Sequence, residues 1–225
     1  MNTPQQIPLD LGHRSASGMA DFLVAPCNQD AVAWVDRWPE WPSPALVLHG
    51  PQGAGKSHLA HVWRERCSAL LADGTVFPDL LPNRLGDAKF VVIDPFEMPF
   101  DEEALLHLYN VLAERNGQLM IVASAAPARW EISLNDLRSR LLACPAIDIG
   151  SPDDGLIGAV MVKQFADRQL RVDPDVLTFL LARMERSFAA TSRLVAALDQ
   201  AALAEKRRIT VPLARRVLET LELGD

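Results

Sequence analysis

The apolar run Ala45-Leu-Val-Leu-His49 breaks directly into Gly50-Pro51-Gln52-Gly53-Ala54-Gly55-Lys56-Ser57. Bounded by Pro44 and Gly50, the run reads as a short buried strand. The eight residues from Gly50 to Ser57 fit G-x-x-x-x-G-K-[ST] in full, in the strand–loop–helix setting that gives the pattern its meaning. Glycines let successive backbone N–H groups turn inward onto phosphate oxygens. The helix that begins there points its positive end at the same anion. In such a loop Lys56 reaches the β- and γ-phosphates and Ser57 offers its hydroxyl to Mg²⁺, and Gly50 to His58 are the expected cofactor-binding residues of the loop. The expected cofactors are ATP or ADP with Mg²⁺.

A second acidic element belongs at the end of a neighbouring strand. Phe90-Val-Val-Ile-Asp94 supplies it, four apolar residues followed by a carboxylate that can hold the magnesium ion through water. Ser57 and Asp94 are thus the expected metal-site residues. The next residue is Pro95, which can neither take nor give a proton, where a second acid would orient water. Intrinsic hydrolysis is expected to be weak or absent.

The rest of the chain extends the α/β pattern and then leaves it. A helix over 28–38, capped by Asn28, precedes the first strand; its Trp34 and Trp38, with Trp41 after it, read as core residues. The helix of the phosphate loop is expected to run to about Leu71, with a weak strand near Gly74–Phe77. Asp101 opens a helix ending near Gly117, and Gln118–Ala123 and Ala146–Ile149 read as further strands. Strands alternating with helices predict a parallel sheet between helical layers. After Gly150 only helices are expected, opened at Ser151-Pro152, Asp173-Pro174, Ser187 and Thr210. The reading is an α/β core with a parallel sheet between helices, over residues 22–150, and a small all-helical domain over 151–225. A flexible arm, residues 1–21, precedes them.

Composition narrows the function. Of 225 residues, 49% are hydrophobic and 23% charged, enough for a core without disulfides or metals. The net charge of −7 disfavours broad, sequence-independent DNA binding. Any DNA contact is expected to be indirect or weak, and Glu205–Arg208 with Arg215 and Arg216 reads as a solvated charged face. Cys27, Cys67 and Cys144 are scattered and form no CxxC pair, so reduced thiols are expected. No secretory signal or membrane-length apolar run is present, which places the expected location in the cytoplasm.

A P-loop α/β domain followed by a small helical lid resembles the AAA+ ATPases. Asp136-Leu-Arg138-Ser-Arg140-Leu-Leu resembles the arginine-finger box of the bacterial replication initiator DnaA. Ser187-Phe-Ala-Ala-Thr-Ser-Arg193 resembles the helix carrying that family's second sensor arginine, and Lys206-Arg-Arg-Ile-Thr-Val-Pro-Leu-Ala the segment before the last lid helix. The resemblance spans the chain from about Phe22 onward. DnaA itself would continue into a helix-turn-helix domain, whereas this sequence is expected to end with its lid. It therefore looks like the Hda family of DnaA-related regulators, which promote hydrolysis of DnaA-bound ATP on the sliding clamp.

That resemblance implies roles for particular residues. Arg140 would be an arginine finger acting in trans on the ATP form of DnaA, with Arg138 the second candidate. Arg193 would read this protein's own nucleotide, and Ser124 would stand near the first sensor position, followed by Ala125 and Ala126. The arm segment Gln6-Ile7-Pro-Leu9-Asp-Leu11 is similar to the peptide that binds the DNA polymerase III sliding clamp, its β subunit, with one amide and apolar anchors on a segment that orders on binding. A homodimer is left open, and no membrane partner is implied. Two other readings share features of the chain: a helicase-loader-like AAA+ protein and a small-molecule phosphotransferase.

Overall fold

The computed structural model describes residues 23–74, 85–205 and 207–222. The clamp-peptide residues Gln6, Ile7, Leu9 and Leu11 lie outside them, as do Thr75–Phe77 of the expected weak strand. The described residues form two compact units, 26–151, and 152–222 together with Leu23–Ala25.

Among the described residues, the first unit is a five-stranded parallel sheet between helices. Its elements are α1 (Gln29–Asp36), β1 (Ala45–His49), α2 (Lys56–Cys67), β2 (Leu70–Ala72), β3 (Phe90–Phe96), α3 (Glu102–Glu114), β4 (Gln118–Ala123), α4 (Asn135–Ala143) and β5 (Ala146–Asp148). The strand order is β2-β3-β4-β1-β5, every pair parallel. Central strands are apolar on both faces, as burial between helices demands. Val47, Val91, Ile93 and Ile121 share a core with Leu105, Leu108 and Leu112 of α3 and Leu137 and Leu141 of α4. Their alternates, Leu46, Leu48, Val92 and Met120, are as deeply buried, as are Leu59 and Trp63 of α2.

Several local expectations are corrected. The helix of the phosphate loop stops at Cys67 because Ser68 turns left-handed (φ 53°) and the N–H of Ala69 donates back to Arg64 O at 3.0 Å. Leu71 therefore belongs to β2, and the weak strand sits there, earlier than the sequence suggests. Asn28 occupies the cap position of α1 but makes no side-chain capping bond. Asp101 does cap α3, accepting from Ala104 N at 2.9 Å. The tryptophans pack around Trp63, which is fully buried: Trp41 stacks on it at 5.2 Å, and Trp38 meets it edge-on at 6.5 Å. Trp34 does not join that stack by its ring; Arg37 lies over it at 5.3 Å.

The second unit is helical: α5 (Asp154–Asp167), α6 (Pro174–Leu181), α7 (Phe188–Glu205) and α8 (Val211–Glu222). The first of these opens at Asp153, whose carboxylate accepts from Leu156 N at 2.7 Å, not at Ser151-Pro152. Asp153 places its carboxylate three residues before that helical N–H, the geometry an N-cap requires. Pro174 stands in the first turn of α6 as expected. Ser187 opens α7, its hydroxyl accepting from Ala190 N at 3.1 Å. Ile157, Met161, Leu180, Val195, Leu198, Leu213 and Ala214 form the unit's core.

Candidate nucleotide site and arginine helix

The carboxyl ends of β1, β3 and β4 bring the predicted phosphate-site residues to one edge of the sheet, the edge where open α/β sheets bind ligands. Gly50, Gly53 and Gly55 take φ values of 141°, 74° and 97°, a conformation glycine adopts without strain. Gly50 has a second constraint. A Cβ there would stand 2.2 Å from Ile149 O, so the backbone of the loop presses directly on the end of the neighbouring strand segment.

Pro51 and Gln52 are exposed at the turn, whereas Ala54 is buried beneath it. Helix α2 starts at Lys56, with Gly55 as its N-cap and no side chain occupying the cap position. The first-turn N–H groups therefore face the loop's concavity. Lys56 Nζ donates to Gly50 O at 2.8 Å and to Pro51 O at 2.7 Å, folding the ammonium back over the loop. Ser57 Oγ donates to Asp94 Oδ1 at 3.1 Å, while His58 is exposed on the next position of the helix.

Asp94 lies where the β3–β4 register shifts, between Ile93 and Phe96. An irregularity of that kind re-aims a side chain at a strand end, here toward Ser57. Strand β3 runs on through Pro95 to Phe96, two residues beyond the predicted end. Ser124 is exposed immediately after β4, next to that irregularity in the sheet.

Burial dominates the electrostatics of the loop. Burial pushes the Asp94 carboxyl above its ordinary value, against the Ser57 hydrogen bond and the Lys56 charge. Burial likewise pulls the Lys56 ammonium below its ordinary value, against attraction from Asp94 and Asp148. Each partner is thus held at a desolvation cost the other does not cancel, a pattern that concentrates at functional sites. Asp148 was not singled out from sequence. It ends β5, lies 3.2 Å from His49 Nδ1, and adds negative charge near Lys56. Its signal was the same as that of Asp94: an acid closing an apolar strand.

These residues fit a magnesium nucleotide. Inward N–H groups and Lys56 suit the phosphates, and the oxygen donors of Ser57 and Asp94 suit a hard divalent cation. When bound, the metal supplies charge neutralisation on the phosphate oxygens.

The predicted finger box forms α4. Its two arginines differ in setting. Arg138 is exposed and its side chain has no partner among the described residues. Arg140 is held: Nε donates to Asp136 Oδ1 at 3.0 Å, and its guanidinium lies over the Tyr109 ring at 5.4 Å. The Asp136 hydrogen bond raises the guanidinium's pKa above an already high ordinary value, so it stays charged. The entry to α4 is fixed from α3: both carboxylate oxygens of Glu102 accept from Ser133 N, at 2.9 and 3.0 Å, and one from Leu134 N at 2.7 Å.

Within the helical unit, Arg193 is exposed on α7. It lines a cleft of about 210 Å³ with Arg183, Met184, Leu194, Leu218 and Leu221.

Comparisons with known proteins agree with this architecture. Residues 156–218 match the family model for the Hda lid domain. Domain III of the Thermotoga maritima replication initiation protein DnaA is similar in fold, with a TM-score of 0.75 at 17% identity, covering 89% of this chain and 94% of that one. Replication initiator DnaA bound to AMPPCP and single-stranded DNA gives a TM-score of 0.65 at 14% identity over 82% of this chain. The chain spans 66% of that initiator's length. A RuvB variant from Thermotoga maritima gives 0.67 at 15% identity, covering 87% of this chain and 67% of that one, so the core fold is shared beyond initiators. A phosphate-loop core with the fold of DnaA domain III thus leads into a helical unit whose residues 156–218 match the Hda lid domain.

Proposed function

We propose that this protein is a negative regulator of chromosomal replication initiation. It holds an adenine nucleotide, ATP or ADP, with Mg²⁺ through Gly50–Ser57 and Asp94. It docks on the DNA polymerase III sliding clamp through Gln6, Ile7, Leu9 and Leu11. It then presents Arg140 to ATP held by DnaA and stimulates hydrolysis there. The observation that carries this reading is the Hda lid match over residues 156–218, downstream of a core whose finger-box helix displays a charged, oriented arginine.

In this reading the two nucleotide sites have different jobs. At the protein's own site, Lys56 and the loop amides bind phosphate, and Ser57 and Asp94 face the cation. Pro95 leaves no proton acceptor directly after Asp94, so resident nucleotide is turned over slowly or not at all. Arg193 couples lid posture to that nucleotide by its preference for one phosphate state over another. At the partner's site, Arg140 adds positive charge where negative charge develops on the transferring phosphoryl group. Any DNA contact is weak or indirect, and the protein works in the cytoplasm.

A capture experiment tests the docking half and separates the regulator from a helicase loader built on the same fold. Immobilised clamp should retain the wild-type protein, and Gln6→Ala with Leu9→Ala should lose it. Retention by the replicative helicase and not by the clamp would favour the loader reading instead.

A further inference from the structure

Helix α3 does more for α4 than pack against it. Tyr109 is 7% exposed and shares the buried core of the sheet with Cys144. Cys144 is itself fixed, with Sγ 3.1 Å from Ser43 Oγ and donating to Arg140 O at 3.1 Å. The tyrosine ring is therefore seated in the core. Its face meets the Arg140 guanidinium at 5.4 Å. One edge of the same guanidinium is taken by Asp136, one helical turn earlier, through Nε alone.

This arrangement leaves a specific part of Arg140 uncommitted. The terminal guanidinium nitrogens hydrogen-bond to no described residue, while the plane and direction of the group are set by the ring on one side and the carboxylate on the other. Those two nitrogens are the ones that engage phosphate oxygens as a fork. An arginine on a solvated helix face would have to freeze several torsions on meeting a phosphate; this one has most of that ordering done beforehand. Arg138, two residues away, has neither support.

We propose that Tyr109 and Asp136 are positioning residues for Arg140, fixing its guanidinium so that its terminal nitrogens face a partner's phosphate. The inference rests on the proposed trans action of Arg140. Neither residue touches the phosphate; each acts through the arginine.

The test is single-turnover hydrolysis of DnaA-bound ATP, with DNA-loaded clamp and increasing amounts of the full-length protein. Tyr109→Leu and Asp136→Ala should lower the maximal rate, by up to ~10²-fold, since small misplacements of a catalytic group have effects of that order. The concentration giving half-maximal stimulation should stay near the wild-type value, because docking is untouched. Tyr109→Phe, which keeps the ring, and Asp136→Asn, which keeps the acceptor for Nε, should each recover most of the rate. A merely structural role would not produce that pattern of rescue. If Tyr109→Leu fails to fold, the exposed Asp136 pair decides alone. Wild-type maximal rates in Asp136→Ala, with Arg140→Ala inactive, would overturn the positioning role. Wild-type rates in Arg140→Ala would instead remove the reading beneath it.

Discussion

Ser57, in the first turn of α2, donates its hydroxyl hydrogen across 3.1 Å to Asp94 at the end of β3. The bond joins the two elements a magnesium nucleotide needs, from residues 37 apart in sequence. Both Asp94 and Lys56 are held by burial away from their ordinary pKa values.

The first prediction separates binding from stability. Because the folded-state pKa of Asp94 is raised, its ionisation penalises the fold increasingly as pH climbs from the unfolded value through the folded one, and fully above it. Asp94→Asn should therefore leave the melting temperature at pH 7 equal to or above wild type without nucleotide. It should also abolish the magnesium-dependent rise that nucleotide produces. A ligand at a hundred times its Kd stabilises by about 2.7 kcal/mol, a shift of several degrees. Lys56→Ala should lose the nucleotide shift with or without magnesium. Thermal unfolding across a nucleotide titration reads both, and an undiminished shift in either variant contradicts the assignment.

Gly50 gives a backbone test. Alanine there would carry a Cβ 2.2 Å from Ile149 O at a φ of 141°. The strain alone is ~1–3 kcal/mol, and the loop must also move off the strand end. Gly50→Ala should lower the urea midpoint and weaken nucleotide binding together. Gly86→Ala, in open space though at φ 48°, should leave nucleotide binding intact.

Acid stability should report on Glu102. The N–H groups of Ser133 and Leu134 hold its carboxyl below the usual range. Its contribution is complete above the ordinary glutamate value of ~4.3 and vanishes as pH falls through the lowered folded value. The gap in urea midpoint between wild type and Glu102→Gln should therefore be constant near neutrality and close at acid pH. A gap that does not depend on pH would mean the carboxylate's charge is irrelevant to α4.

The phosphate loop, Asp94, the alternation of strands and helices, and the change of pattern after Gly150 were legible because each rests on local chemistry. A glycine turn, an acid at a strand end and a periodicity are all written within a few residues. Boundaries set by competition were not. Leu71 reads as the end of a helix until Ser68 is seen turning left-handed, and Ser151-Pro152 resembles a helix start until Asp153 is seen capping Leu156 N. The support of Arg140 was half legible: Asp136 stands at i−4, a spacing that marks a pair, whereas Tyr109 comes from another helix and no sequence spacing reveals it.

The central claim is that Arg140 acts on another protein's ATP. It is tested most directly by hydrolysis of DnaA-bound ATP in the presence of DNA-loaded clamp, comparing wild type with Arg140→Ala at equal clamp occupancy. Arginine fingers contribute ~10³–10⁵ in rate, so the variant should bind the clamp normally and return hydrolysis to the rate of DnaA alone. Full stimulation by Arg140→Ala would contradict the account.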